Sequence, residues 1–286
     1  MKNDIFYSDM AVDNLENRGL KDIAVVKNLN FGIKQIVVNV KDNRLSEMVG
    51  KPRGLYVTYD CSGASDENYA LFLSKVMSNT LHQMIGLLQE KSTILAVGLG
   101  NGQVLADSLG VKVVEKVKAN RTETLKNFKY KLCTHSLGVE GVTGIKSQEV
   151  LTALNDGIKP SAIIVVDSLA TTSVNRLGTS FQMSTAGIVP ASGVGRDKPP
   201  MTKDVFGVPT ISIGVPLVLT MQGVMKDFVR SYSASNNDFQ VDEFSFHALL
   251  NDKKLSRLVV APKEVKIFLD NTSNIISNAI NLAYGF

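Results

Sequence analysis

Two aspartates are placed where they could do chemistry together. Asp107 lies in "ILAVGLGNGQVLADSLG" (94–110), nine residues beyond Gly98, the last residue expected of an apolar strand. Asp167 directly follows a second apolar run, "AIIVV" (162–166). Ligands of an open α/β sheet gather beyond the carboxyl ends of its strands, so both carboxylates are directed to one edge. Two carboxylates that share a site cannot both ionise cheaply, and one pKa rises. One then acts as base toward a water while the other, protonated, serves as acid. That pair is the least equipment with which a peptide bond is hydrolysed without a nucleophilic side chain. A helix opening after the turn favours ionised Asp107, making Asp107 the base and Asp167 the acid, although the protons of a coupled pair belong to the pair. Each residue also has a plainer role, Asp107 as a helix N-cap and Asp167 as a polar strand end.

The glycines before Asp107 raise a rival reading, a phosphate cradle. A dinucleotide fingerprint needs GxGxxG; Gly98 and Gly100 fit, but the third position is Gln103. No window matches GxxxxGK[ST]; in "GVTGIKS" (141–147) Ile145 separates Gly144 from Lys146. Without a phosphate loop, Asp167 as a magnesium ligand of an NTPase loses its partner. Other hydrolytic equipment is missing too. There is no GxSxG elbow and no HExxH, and neither aspartate sits in an Asp-Thr/Ser-Gly motif. His82, His135 and His247 lie far apart; only His135, at the end of an expected strand, comes near the proposed edge. Cys61 and Cys133 form no CxxC or Cys/His pattern and fit two reduced thiols. The dyad calls for no metal and no cofactor.

The elements that must position these residues alternate. Strands are expected at 34–40, 54–60, 93–97, 130–135, 162–166 and 208–215. Apolar residues at helical spacing mark a helix over 67–88, a stripe from Leu109 to Val117, and a helix over 147–158 with Gly157 near its end as a stop signal. A long helix closes the chain, with Pro262 in its first turn. Alternation of this kind implies an α/β fold, a mostly parallel sheet with helices on both faces. The 184–208 stretch, rich in Gly, Pro and basic residues, and the polar 233–243 stretch are expected as connections. With 286 residues, 44% of them hydrophobic, the chain can bury one sizeable core. A net charge of +4 without a Lys/Arg block gives no reason to expect nucleic acid as a partner. No apolar run approaches the roughly 20 residues of a membrane span, and "MKNDIFYSDMAV" is no signal peptide. A soluble intracellular protein is expected.

Several segments in fixed order carry a resemblance: "YSDMAV" (7–12), "VGLGNGQVLADSLG" (97–110), "GVEGVTGI" (138–145), "IIVVDSLATTSVNRLGTSFQMS" (163–184), "GIVPASGVG…GVPTISIGVP" (187–216) and "VAPKEVKIFLDNTSNIISNAIN" (260–281). The chain closely resembles the germination proteases of spore-forming Firmicutes, over nearly its whole length. The resemblance implies an atypical aspartic endopeptidase that degrades small acid-soluble spore proteins in the forespore and spore core. It places the two essential aspartates on Asp107 and Asp167. It also implies a core similar to that of the endopeptidases that mature nickel-iron hydrogenases, with added strands, where the matching acids bind the metal of the substrate protein.

The family is made as a precursor that removes its own N-terminal segment, and it cuts after an acidic residue, before an apolar residue and Ala. "SDMA" (8–11) has that form. The resemblance therefore implies a propeptide of residues 1–9, self-cleavage between Asp9 and Met10, and a single protease domain over 10–286. Arg176, Arg196 and Lys198 are candidate cations for the acidic side chain of the substrate. Backbone amides of Gly98, Gly100 and Asn101, or of Gly138, Gly141 and Gly144, are candidates for stabilising an oxyanion. The 187–207 stretch is a candidate lid. The resemblance implies a homo-oligomer, typically a tetramer. Against the better-known bacillar members the chain is shorter between Tyr232 and Pro262, and it reads Ser184-Thr185-Ala186-Gly187 where relatives carry an Asp before Thr-Gly. The rival functions are a metal-linked maturation endopeptidase, a nucleotide-binding protein, and a spore-protein binder that does not cut.

Overall fold

The computed structural model describes residues 8–64, 68–123, 127–188, 200–235, 255 and 258–285. Helix α1 (Ala11–Asn17) precedes the first strands, β1 (Val25–Asn28) and β2 (Lys34–Val40). Helix α2 (Asn43–Val49) leads to β3 (Gly54–Asp60), and α3 (Tyr69–Ile85) to β4 (Thr93–Gly98). Next come α4 (Leu109–Lys116), β5 (Lys131–Ser136), the single turn α5 (Glu140–Thr143), α6 (Ser147–Ile158) and β6 (Ala162–Thr171). The chain then forms β7 (Ser180–Ser184), the short α7 (Lys203–Phe206), β8 (Thr210–Thr220), α8 (Met221–Ser235), β9 (Val259–Val260) and α9 (Val265–Ile280).

The strands make one sheet in the order β1-β2-β3-β7-β8-β6-β4-β5, with β9 on the far end of β8. Strands β8, β6, β4 and β5 are mutually parallel, the core the α/β pattern predicts. The remaining pairings, from β1 to β7 and at β9, are antiparallel. Strands β1, β7 and β9 were not expected from the sequence. β7 is short and polar-faced ("SFQMS"), and β1 is a four-residue exposed edge, so neither shows the apolar run that announces a buried strand.

Alternation along the parallel strands puts residues on opposite faces. Ile94, Ala96, Ile164, Val166 and Ile213 pack with the α3, α4 and α9 side chains Leu73, Met77, Val113 and Ile276. Leu95, Val97, Ile163 and Val165 face the other way, packing with Leu151 of α6. Leu95 and Ile163 are fully buried, and each such side chain contributes about 1.5–3 kcal/mol relative to exposure. The register continues this second face across the sheet. Val97, Val165, Ser212, Ser184, Tyr56 and Val38 lie in one row. There the cluster of Val38, Val40 and Tyr56 receives Ala11 and Leu15 of α1 and Val49 of α2.

The expected boundaries of β6, β8 and α9 shift for physical reasons. β6 runs to Thr171 rather than ending before Asp167, because β8 also extends, to Thr220, and pairs with it throughout. Pro216, which cannot donate to a ladder, sits at the register shift between Leu169 and Ala170. α6 spans Ser147–Ile158 as expected, but its left-handed cap is Lys159, at φ 52°, rather than Gly157; Pro160 bars its predecessor from the α region. α9 starts three residues after Pro262, whose carbonyl accepts the Val265 N–H at 3.2 Å.

Candidate active site

At the carboxyl edge of the parallel strands, β4 stops at Gly98, which pairs with Val166. β6 continues, and its next residue is Asp167, in register with Gly214 of β8. Asp167 is 9% exposed, and its Oδ1 accepts the Ser168 N–H at 2.8 Å. Above β4 the chain folds sharply back. The Leu99 N–H donates to Val166 O at 2.8 Å, and Gly100 takes φ +100°. A Cβ on Gly100 would stand 1.8 Å from the Asp107 carbonyl oxygen. Asp107 ends a 3-10 turn (Leu105–Asp107), and its Oδ2 accepts the Asn101 N–H at 2.8 Å. Parts of this turn come within 8 Å, Cα to Cα, of β6 and β8.

α4 then starts at Leu109, whose N–H donates to Ser168 Oγ at 3.4 Å. Gly110 presses so closely on the strands that a Cβ there would lie 2.4 Å from Val166 O and 2.5 Å from Leu99 N. The glycines of this stretch therefore serve close backbone crossing and a tight return. Their arrangement brings the turn bearing Asp107 over the strand bearing Asp167. Asp107 is not the helix N-cap; that position is Ser108.

The second glycine group follows β5 at the same edge. The Leu137 N–H donates to Gly98 O at 2.9 Å, which places Gly138 beside the end of β4. Gly138 and Gly144 have φ of +68° and +70°, and a Cβ at Gly141 or Gly144 would meet nothing within 4 Å. His135 is exposed and in register with Val97. His82 packs against Tyr284, ring centroids 4.9 Å apart, and burial lowers its pKa. It is half-buried and packs on that ring, away from the proposed edge.

The Asp9–Met10 link lies on the same face as Asp167. The Asp9 N–H donates to Ala170 O at 2.9 Å, and the Ala170 N–H returns to Asp9 Oδ2 at 2.8 Å. The Asp9 carbonyl oxygen accepts Lys51 Nζ at 3.0 Å and Gln182 Nε2 at 3.1 Å. Lys51 Nζ also reaches Ser8 O at 2.8 Å. Burial pushes the Lys51 ammonium below its ordinary range, and the Asp9 and Asp13 carboxylates pull it partly back. A cavity of about 760 Å³ opens here, lined by Asp9, Lys51, Tyr56, Leu169, Gln182 and Gly214 among others.

Just beyond the link, Met10 N–H donates to Ser8 Oγ at 3.0 Å, and Ser8 Oγ donates to Asp13 Oδ2 at 2.6 Å. Asp13, fully buried, also accepts Thr171 Oγ1 at 2.7 Å, the Thr172 N–H at 2.8 Å and Arg176 Nη1 at 2.6 Å. Arg176 pairs with Glu16 as well, at 2.5 Å. The structure thus engages Arg176 with α1, as an anchor for that helix. Arg196 and Lys198 lie outside the described residues, as do 189–199 of the candidate lid and residues 1–7. Lys51 and Gln182 were missed by sequence reasoning. Lys51 sits just beyond the Gly50 cap of α2 and Gln182 in the unannounced β7, so no local pattern marks either.

A sheet whose parallel strands carry loops and acids at their carboxyl ends is an α/β protein with its site at that edge. Comparison with known proteins narrows the class. The family model described as Germination protease matches residues 2–234. The germination protease of Caldanaerobacter subterraneus subsp. tengcongensis is 31% identical, with 96% of this chain and 93% of that protein covered. That of Clostridium perfringens (strain ATCC 13124) is 29% identical, covering 96% and 94%. That of Bacillus cereus (strain AH187) is 28% identical, covering 94% and 88%. The chain belongs to the germination protease family, and is therefore a peptidase. Among the described residues no helix is long and apolar enough to cross a membrane.

Proposed function

We propose that the chain is a germination endopeptidase that cuts small acid-soluble spore proteins after acidic residues, with Asp107 and Asp167 activating water. The observation that carries this reading is the shared edge: the Asp107 turn packs over β6 and β8, and Asp167 sits where β4 ends and β6 runs on. One carboxylate takes a proton from water as it attacks the carbonyl carbon. The other protonates the departing amine. The same site removes residues 1–9 by cutting between Asp9 and Met10. The enzyme works as a homo-oligomer in the forespore and spore core, with four subunits the number to test.

The test incubates the chain with a small acid-soluble spore protein, with and without chelator, beside Asp107→Asn and Asp167→Asn. Cleavage by the unmodified chain and none by either variant supports the dyad. Cleavage that persists in either variant sinks it. Loss of the unmodified chain's activity in chelator favours the metal-linked reading. Substrate bound but never cut favours a binder.

A further inference from the structure

Resting on the self-processing reading, we infer that Lys51 and Gln182 form the oxyanion site of this protease, and that the Ala170 N–H is the donor that receives the acidic side chain before the cut. The chain's own Asp9 occupies that place in the structure. Its carbonyl oxygen has two side-chain donors, Lys51 Nζ at 3.0 Å and Gln182 Nε2 at 3.1 Å. Its carboxylate takes the Ala170 N–H at 2.8 Å, and its own N–H is held by Ala170 O at 2.9 Å. Carbonyl, side chain and backbone of one acidic residue are therefore all engaged, in a cavity of about 760 Å³ with room around it. On the far side of the link, Gln182 Oε1 accepts the Ala11 N–H at 2.7 Å, so one amide touches both sides of the proposed cut.

The placement relative to the dyad comes from the register. Gln182 pairs with Gly214, and Gly214 with Asp167. In-register neighbours share a face, and two strand spacings of about 4.8 Å put these Cα atoms roughly 10 Å apart. On that face the Leu169 side chain covers Gly214 between them, its Cγ 2.6 Å from the place of a Gly214 Cβ, so the carbonyl and the water lie above it. In the chemical step the water oxygen bonds to the Asp9 carbonyl carbon, and one water proton passes to a carboxylate. The carbonyl electron pair moves onto Asp9 O, where Lys51 and Gln182 hold the new charge. Collapse returns that pair and breaks the bond to the Met10 nitrogen, which takes a proton from the other carboxyl group. One water is consumed; the new Asp9 carboxyl group gives its proton to the Met10 amine, leaving a carboxylate and an ammonium. Donors fixed in advance at a developing oxyanion do not have to reorganise during the reaction. The ammonium that offsets the oxyanion also faces the product carboxylate.

The test tracks the full chain by intact mass and N-terminal sequencing as it converts to a chain beginning at Met10. Lys51→Met and Gln182→Glu are each expected to slow conversion by roughly 10²–10³-fold. Gln182→Glu keeps the acceptor for Ala11, removes the donor to Asp9 and places a carboxylate charge where the oxyanion would form. Lys51→Arg should stay within about tenfold of the unmodified rate, since it restores a charged donor. Thermal melting is recorded alongside; if Lys51→Met does not fold, Gln182→Glu decides. After full conversion, peptides bearing Asp before the cut should show a lowered kcat with KM little changed in both slow variants. If the unmodified chain never cuts at Asp9–Met10, the self-processing reading fails and this inference with it. If the unmodified chain cuts there and the folded variants convert at its rate, the inference alone is overturned.

Discussion

The two halves of the sheet divide the labour differently. The parallel half, β8-β6-β4-β5, carries both aspartates at its carboxyl edge and buries both of its faces. The antiparallel half, β1-β2-β3-β7, carries Gln182, is preceded by Lys51 at the entry to β3, and supports α1 and the Asp9–Met10 link. In the proposed reaction the first half supplies the acids and the second presents a peptide to them. The difference teaches that acids at a sheet edge do not by themselves make a peptidase site. A substrate strand needs backbone partners and an oxyanion needs donors, and the proposed ones lie beside the parallel core.

The comparison is broken most decisively at the acids. Asp107→Asn and Asp167→Asn are each expected to lower cleavage of a spore-protein substrate by about 10²–10⁴-fold, measured as initial rates, with unchanged far-UV circular dichroism. The next effect falls on the other half and on stability. Arg176→Met leaves buried Asp13 without its cation, and such losses cost about 3–5 kcal/mol; urea unfolding should show that fall. Gly110→Ala tests the crossing over β4. Its Cβ would meet Val166 O at 2.4 Å, so the crossing must open, at about 1–3 kcal/mol by chemical denaturation, and activity should fall through Asp107. A gentler probe is pH. Cys61, at the end of β3, has its thiol pushed from 9.0 up to about 12, by burial first and then by Asp60. The folded state keeps a proton there that the unfolded state gives up, so this contribution is complete below pH 9.0 and fades as pH rises toward about 12. Cys61→Ala should flatten that alkaline decline in urea-unfolding free energies. Smallest of all, Lys159→Gly relieves a left-handed residue at φ 52° and should raise stability by about 1 kcal/mol.

The same division decides what the sequence made legible. "TILAV" and "AIIVV" are continuous apolar runs because their strands are covered on both faces, so the parallel core and the two acids beside it stand out. The glycine turn was legible as a turn, while its purpose emerged from Gly110 resting on Val166. Tertiary pairing hid the rest. Gln182 is polar and buried because it serves Asp9 and Ala11, 173 and 171 residues away in the chain. Arg176 looked like a cation for a substrate, and only the fold brings Asp13 and Glu16 to it. Of the antiparallel strands, β2 and β3 stand where the sequence puts them, while β1, exposed, and β7, with its serines and glutamine, betray themselves weakly.

One small relay would matter if the chain is cut as proposed. The Ser8 hydroxyl stands between the Met10 nitrogen and the Asp13 carboxylate, accepting from one and donating to the other. Removing residues 1–9 takes that hydroxyl away and turns the Met10 nitrogen into an ammonium. A buried carboxylate would then have lost a donor just as a positive end appears one oxygen's width away. The severed chain would thereby hold a charge pair that the intact chain cannot form. That pair would act as a pawl, keeping the new terminus seated and giving the shortened protein an internal mark of having been cut.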